Sequence, residues 1–390
     1  MNDATALHSR LDRAQRAPFF IGLVSLGLCV IGAIMDRKRF FEAYLMAYLF
    51  WLGIALGCLA IVMIHHLAGG RWGFAVRRLL EAATRTLPLL AFLFIPVLFG
   101  IRNLYVWTDP DAVAADELLR HKEPYLNVPF FVIRAAIYFT VWLGTMWLLD
   151  RASATQDQAP SREATRRLTL ISGAGLGLYM LTMTFASIDW AMSLEPHWFS
   201  TIYGVLIMSG QVLGAFAFVI IVAAALAKHK PYGDAIQPEQ FHDLGNFLLT
   251  FVIFWAYMAY SQFLIIWSGN LTDENPWYLR RFAGGWKWVG ALLVALHFFA
   301  PFFLLLSRDV KRRSPWLMKV ALVVFVMCFV DIFWIVAPGF GRLDLHVYWM
   351  DVVAPIGIGG IWVGTFLRQL RGRSLLPAHD SRVEEELEWA

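Results

Sequence analysis

The feature that most limits this chain is a series of ten long apolar runs, over residues 18–35, 43–68, 86–101, 128–149, 168–193, 199–227, 244–268, 288–307, 316–337 and 348–367. Crossing a bilayer takes about 20 apolar residues, and shorter or tilted spans are tolerated. Over such lengths in lipid, only a helix satisfies its own backbone. The series predicts an all-α polytopic membrane protein with about ten transmembrane helices. Composition points the same way. Of the 390 residues 59% are apolar and 16% charged, against about 45–50% and 25% in a soluble domain. Too little polar residue remains to cover a water-soluble globule. Lipid is therefore the surrounding partner. The net charge of +4 reflects the loops and implies no nucleic-acid partner. The first run lacks a small-residue cleavage site and is followed by Asp36-Arg37-Lys38-Arg39, so it reads as a retained helix rather than a signal peptide.

Loop charge sets an expected orientation. Lys and Arg favour the side holding both termini by roughly two to one, which places both termini in the cytoplasm, although Arg37, Lys38 and Arg39 fall on the other side. Cys29, Cys58 and Cys328 each stand alone in an apolar run, and no C-x-x-C-H occurs. No covalent haem, iron–sulfur cluster or metal site is expected on this chain. Only His65 and His297 lean inward enough to be weighed as b-haem ligands, and they sit at different depths.

A repeat organises the runs. Asp189 in the fifth is followed by Pro196, and Asp331 in the ninth by Pro338, both as Asp-x6-Pro near the outer end of a helix. The aspartates lie four helices apart, which points to two copies in the same orientation, related by an axis along the membrane normal. The expected units are an N-terminal tail and flanking helix (1–40), helices 2–4 of a first four-helix bundle (41–150), a flexible cytoplasmic linker (151–167), and the helix completing that bundle (168–197). A second four-helix bundle (198–340), a flanking helix (341–376) and an acidic tail (377–390) complete the chain.

An ionisable group inside a span costs about 2.5–3.5 kcal/mol and is a candidate functional group. Asp331 stands out, among Val330, Ile332 and Phe333, roughly 22 Å along its helix from Trp316 at 1.5 Å per residue. It suits a group that takes up and releases protons, or one that ties helices together. Asp189 is a second proton-path candidate, or fixes the turn after it. His297, on the helix before Asp331, is a relay candidate or a structural histidine. His65 and His66 end the second helix, and His242-Asp243 opens the seventh; both pairs are candidates for a cytoplasmic proton mouth. Tyr257, Tyr260, Ser261 and Gln262 come next on the seventh helix, Tyr257 and Ser261 sharing a face. They extend a wire inward or make ordinary interhelical hydrogen bonds. Arg134 pairs with a carboxylate or snorkels.

Several stretches carry a resemblance. Asp189-Trp-Ala-Met-Ser-Leu-Glu-Pro-His-Trp-Phe-Ser-Thr-Ile-Tyr-Gly204, His242-Asp-Leu-Gly245, Phe254-Trp-Ala-Tyr257 and Ser261-Gln-Phe-Leu-Ile-Ile-Trp267 resemble the second large membrane subunit of alternative complex III, a bacterial quinol:cytochrome c or quinol:acceptor oxidoreductase. That subunit is related to the polysulfide reductase membrane subunit family. The likeness is strongest from the fifth helix to the ninth. It departs at Asn246, where members often carry Lys, and at Ser268-Gly269-Asn270, where they often carry Tyr-Ala-Asn. The resemblance implies two four-helix bundles flanked by two helices in the bacterial inner membrane. It also implies partners: a sister membrane subunit, a multihaem cytochrome and an iron–sulfur subunit, which carry the haem c and the clusters. A quinone is a possible ligand, the sister subunit being its better-supported site. The resemblance transfers no catalytic residue.

The functional expectation is a non-catalytic membrane subunit that supports quinol oxidation and conducts protons along Asp243, His242, Tyr257, His297, Asp331 and Asp189. The alternatives are a secondary transporter of a small anion, which calls for Gly- or Pro-broken helices meeting at mid-membrane, and a structural anchor.

Overall fold

The structure is a computed structural model that describes residues 3–70, 72–159, 161–230, 232–371 and 375. Among them ten helices are long and apolar enough to cross a bilayer: α1 (Leu11–Met35), α2 (Arg37–Ala68), α3 (Val76–Phe99), α4 (Val128–Gln158), α5 (Arg162–Leu194), α6 (Tyr203–Leu226), α7 (Pro238–Gly269), α8 (Trp286–Leu306), α9 (Ser314–Phe340) and α10 (Trp349–Arg371). No strand occurs among the described residues. The protein is an all-α, multi-pass membrane protein. The acidic tail expected at 377–390 lies outside the described residues. The end of the bundle where α1 begins and α10 finishes is termed the terminal face.

Hydrophobicity decides which helices are central. α2 is apolar around its whole circumference from Phe41 to Met63, interrupted only by Glu42 near its start, and it is buried over nearly all of that length. A helix apolar on every face belongs in the middle of a bundle. α6 is alike, and the two pack against each other. α3 and α5 pack on α2, with α4 against α5; α7 and α9 pack on α6, with α8 against α7 and α9. α1 and α10 form a pair against α2. Glycine makes their close approach possible. A Cβ on Gly22 would lie 2.5 Å from the Ile361 nitrogen, and one on Gly360 would lie 2.4 Å from the Pro18 oxygen. α1 turns Phe20, Leu23, Ile31 and Ile34 outward, and α7 and α8 expose Trp267, Tyr260, Val294 and Phe303. These are lipid-facing surfaces.

The stretch 151–167 differs from its expectation as a flexible linker. α4 continues to Gln158, and α5 opens at Arg162 with Ser161 capping it. The reason lies on α3. Arg77 donates to Gln156 Oε1 at 2.7 Å and to Ser153 Oγ at 3.2 Å, and Arg78 pairs with Asp157. Glu81 binds both arginines, at 3.0 and 2.6 Å, and accepts from Ser153 at 2.7 Å. Polar residues that resemble a solvated linker in one dimension are thus mutually satisfied between two helices. The same cluster lets α3 begin ten residues before its apolar run. Within α3, Pro88 and Pro96 each stand at the start of a new helical segment, Leu87–Leu93 and Ile95–Phe99, because neither ring can donate to the turn before it. On the opposite face Arg342 binds Glu42 at 2.9 Å and Asp351 at 2.7 Å, tying α2 to the start of α10.

Candidate functional site

The site is built where α7, α8 and α9 meet beside α6. From Val320 to Val336 α9 is apolar except for Asp331, which sits five residues before the end of its α-helical part and is 5% exposed. The Trp255 indole on α7 donates to Asp331 Oδ2 at 3.0 Å. Oδ1 accepts no hydrogen bond from the described residues, and no cation among them pairs with this carboxylate. The Trp255 ring stands edge-on to His297 of α8, centroids 4.2 Å apart and planes 87° apart. His297 is fully buried, and neither ring nitrogen has a hydrogen-bond partner among the described residues. The structure thus brings His297 and Asp331 to the two sides of one indole that the sequence did not single out. A lone Trp in the Phe254-Trp-Ala-Tyr257 stretch was the available signal.

His297 lies in an irregular part of α8. Residues Leu293–Phe299 form a π-helical segment, and the Ala300 N–H donates to Ala295 O, five residues back. Pro301 comes next but one and has no N–H to offer the His297 carbonyl, which gives the wider turn a local cause. Such segments are frequent at functional sites.

Asp331 borders two cavities. One has a volume of about 720 Å³ and opens at the protein surface. Its walls are mainly aromatic, with Trp255, Tyr257, Tyr260, Trp277, Phe298 and Trp334 prominent, and Gln262 and Lys287 add polar groups. The Trp334 Nε1 is buried with no partner among the described residues. Gly290 keeps that atom open, since a Cβ there would come to 3.5 Å from it. The second cavity, about 20 Å³, lies on the α2–α6 side of Asp331 and also touches Gln211 and Cys328.

The other candidates occupy different places. Asp189 is fully buried and locked: Arg134 binds it with two hydrogen bonds, Nε at 2.8 Å and an NH2 group at 2.9 Å, and Tyr138 donates at 2.7 Å. Arg134 is therefore a buried ion-pair partner. Tyr257 and Tyr260 are each 62% exposed on the outer side of α7, bordering the large cavity, while Ser261 is half-buried beside them. His65 and His66 are buried at the terminal face, His65 against Trp72 and His66 beside a small cavity that Glu81 also lines. His242 and Asp243 open α7 on that face, with Asn246 Nδ2 3.4 Å from His242 Nδ1. Lys311 reaches Asn246 Oδ1 at 2.7 Å. Burial holds the Lys311 amine below the ordinary lysine range. From His242 to Trp255, α7 rises roughly 20 Å, and the residues it buries between them are Leu244, Gly245, Leu248 and Val252. That stretch buries no polar side chain, so His242 and Asp243 are separate from the Asp331 site along this helix.

The chain matches no protein-family model and no curated protein.

Proposed function

We propose that this chain is a membrane subunit of a quinol-oxidising oxidoreductase complex in a bacterial inner membrane, with both termini cytoplasmic, and that Asp331 is its proton-handling carboxylate. The observation that carries this reading is a buried carboxylate inside a spanning helix with one neutral donor and no counter-charge. A group that served only to fasten helices would be expected to have its oxygens satisfied or paired. Asp331 instead keeps Oδ1 free to hold or release a proton.

The large cavity fits the ring of a quinol. Asp331 Oδ1 would accept from a ring hydroxyl, Trp334 Nε1 would donate to a ring oxygen, and the aromatic walls would hold the apolar body. Oxidation of the quinol supplies two electrons and two protons. The electrons leave through partners, which we take to be an iron–sulfur subunit and a multihaem cytochrome beside a sister membrane subunit. This chain's part is to hold the assembly, to seat the quinol and to take its protons at Asp331.

The test is purification of the tagged native protein in mild detergent, with haem spectra and mass spectrometry of what accompanies it. Co-purifying cytochrome and iron–sulfur subunits are expected. A homogeneous, colourless protein that purifies alone would overturn the complex-subunit reading and make transport assays with small anions the next step.

A further inference from the structure

The cavity of about 20 Å³ between α2, α6 and α9 is lined mainly by apolar residues. Asp331, Gln211 and Cys328 add polar groups to its lining, and the Cys328 thiol points toward the Gly210 carbonyl at 3.9 Å. A cavity of at least about 10–15 Å³ with two or more polar partners is enough for one water. Gln211 is itself fixed from behind: Tyr179 on α5 donates its hydroxyl to Gln211 Oε1 at 2.7 Å, and Gln211 Nε2 points to Met183 Sδ at 3.4 Å. An amide nitrogen has two hydrogens, so one remains for the cavity.

We propose that this cavity is a binding site for a single water that accepts from Gln211 and donates to the Asp331 carboxylate. The inference rests on the proton-handling reading of Asp331 and assigns to Gln211 and Tyr179 a positioning role in it. The donors then run one way: Tyr179 hydroxyl to Gln211 oxygen, Gln211 N–H to water, water O–H to Asp331. Each bond in such a chain polarises the next. The charged carboxylate gains a second donor without a cation, and the chain links a group of the second half of the molecule to α5 of the first. When Asp331 takes up a proton, the water turns and accepts from the acid O–H, so proton uptake and release involve one reorienting molecule and no ion.

Gly210 offers a clean test. A Cβ at position 210 would meet nothing closer than Asp331 Oδ2 at 3.8 Å and Trp255 Cδ1 at 4.0 Å. The methyl of Gly210→Ala therefore crowds the space beside Asp331 Oδ2, where the water would donate, without displacing protein atoms. The measurement is pH-jump infrared difference spectroscopy on the full chain in nanodiscs, together with any subunits that purify with it, in ordinary water and in water labelled with oxygen-18. Asp331→Asn identifies the carboxylic acid C=O band of Asp331. We expect Gly210→Ala to shift that band to higher frequency, the sign of a lost hydrogen bond, and to abolish a label-sensitive O–H band present in the wild type. Gln211→Leu, which leaves the cavity backbone untouched, should abolish the same O–H band. An unshifted acid band in Gly210→Ala, or the absence of a label-sensitive band in the wild type, overturns the water site. Absence of any band removed by Asp331→Asn would instead overturn the proton-handling reading, while the label-sensitive band still reports on the water.

Discussion

Asp189 and Asp331 share the same Asp-x6-Pro pattern near the ends of α5 and α9, yet their surroundings differ in kind. Asp189 receives a two-pronged guanidinium and a tyrosine hydroxyl, so every strong interaction open to it is taken. Arg134 is held in turn by the Tyr125 carbonyl at 2.9 Å and lies 3.9 Å from the Tyr125 ring centroid. Asp331 receives one indole N–H and faces two cavities. Where Asp189 meets the guanidinium of Arg134, Asp331 meets the Trp255 indole, with His297 edge-on to that ring. Cost explains what the difference means. A buried carboxylate with a cation is a fastener whose charge is fixed; one without a cation keeps both protonation states within reach. The two aspartates thus differ as an ion-paired carboxylate and one without a counter-charge.

Substitutions put that contrast to the test. The largest effect belongs to the clamp. Arg134→Met strands a buried carboxylate and should cost about 3–5 kcal/mol, read as a fall in the thermal unfolding midpoint in detergent. Arg134→Met combined with Asp189→Leu should recover most of that loss, because a buried ion pair is often replaceable by apolar residues. Next comes Trp255→Phe, which leaves an Asp331 oxygen without its donor and should cost about 1–3 kcal/mol by the same measurement. Asp331→Asn keeps an acceptor for Trp255 and leaves no cation behind, so its stability change should stay under about 1 kcal/mol. Asp189→Asn, which strands Arg134, should cost several times more, and equal costs for the two changes would remove the distinction between clamp and reactive group. The smallest effect is expected at the lipid-facing tyrosines. Tyr257→Phe and Tyr260→Phe should each alter stability by less than about 0.5 kcal/mol and leave proton movement unchanged, whereas a strong loss of proton movement would draw these hydroxyls into the route.

Much of the architecture was legible because the bilayer reduces folding to a question of run length. The ten spans and the singular position of Asp331 follow from composition along the chain, while Arg134 stayed open between pairing and snorkelling. What was hidden depended on pairing in three dimensions. Arg77, Arg78 and Glu81 read as loop charge until Ser153, Gln156 and Asp157 are placed beside them. Trp255 is set apart from the other tryptophans, 17 in all, only by its place in the Phe254-Trp-Ala-Tyr257 stretch, and its role shows only with a carboxylate 3.0 Å from the indole N–H. Gln211 is a lone amide in an apolar helix, a visible oddity whose partner Tyr179 lies 32 residues back. Pro301 marked the irregular part of α8, but the wider turn that holds His297 could not be read from one proline. The cavities beside Asp331 are properties of packing and have no sequence signature.

Whether the unpaired carboxylate of the second half handles protons can be read from proton movement across sealed vesicles bearing the complex with Asp331→Asn, measured against wild type at equal assembly. We expect quinol oxidation in the variant to move few or no protons although all subunits are present. Full proton movement with Asp331→Asn would contradict the proton-handling role and leave Asp331 a structural residue.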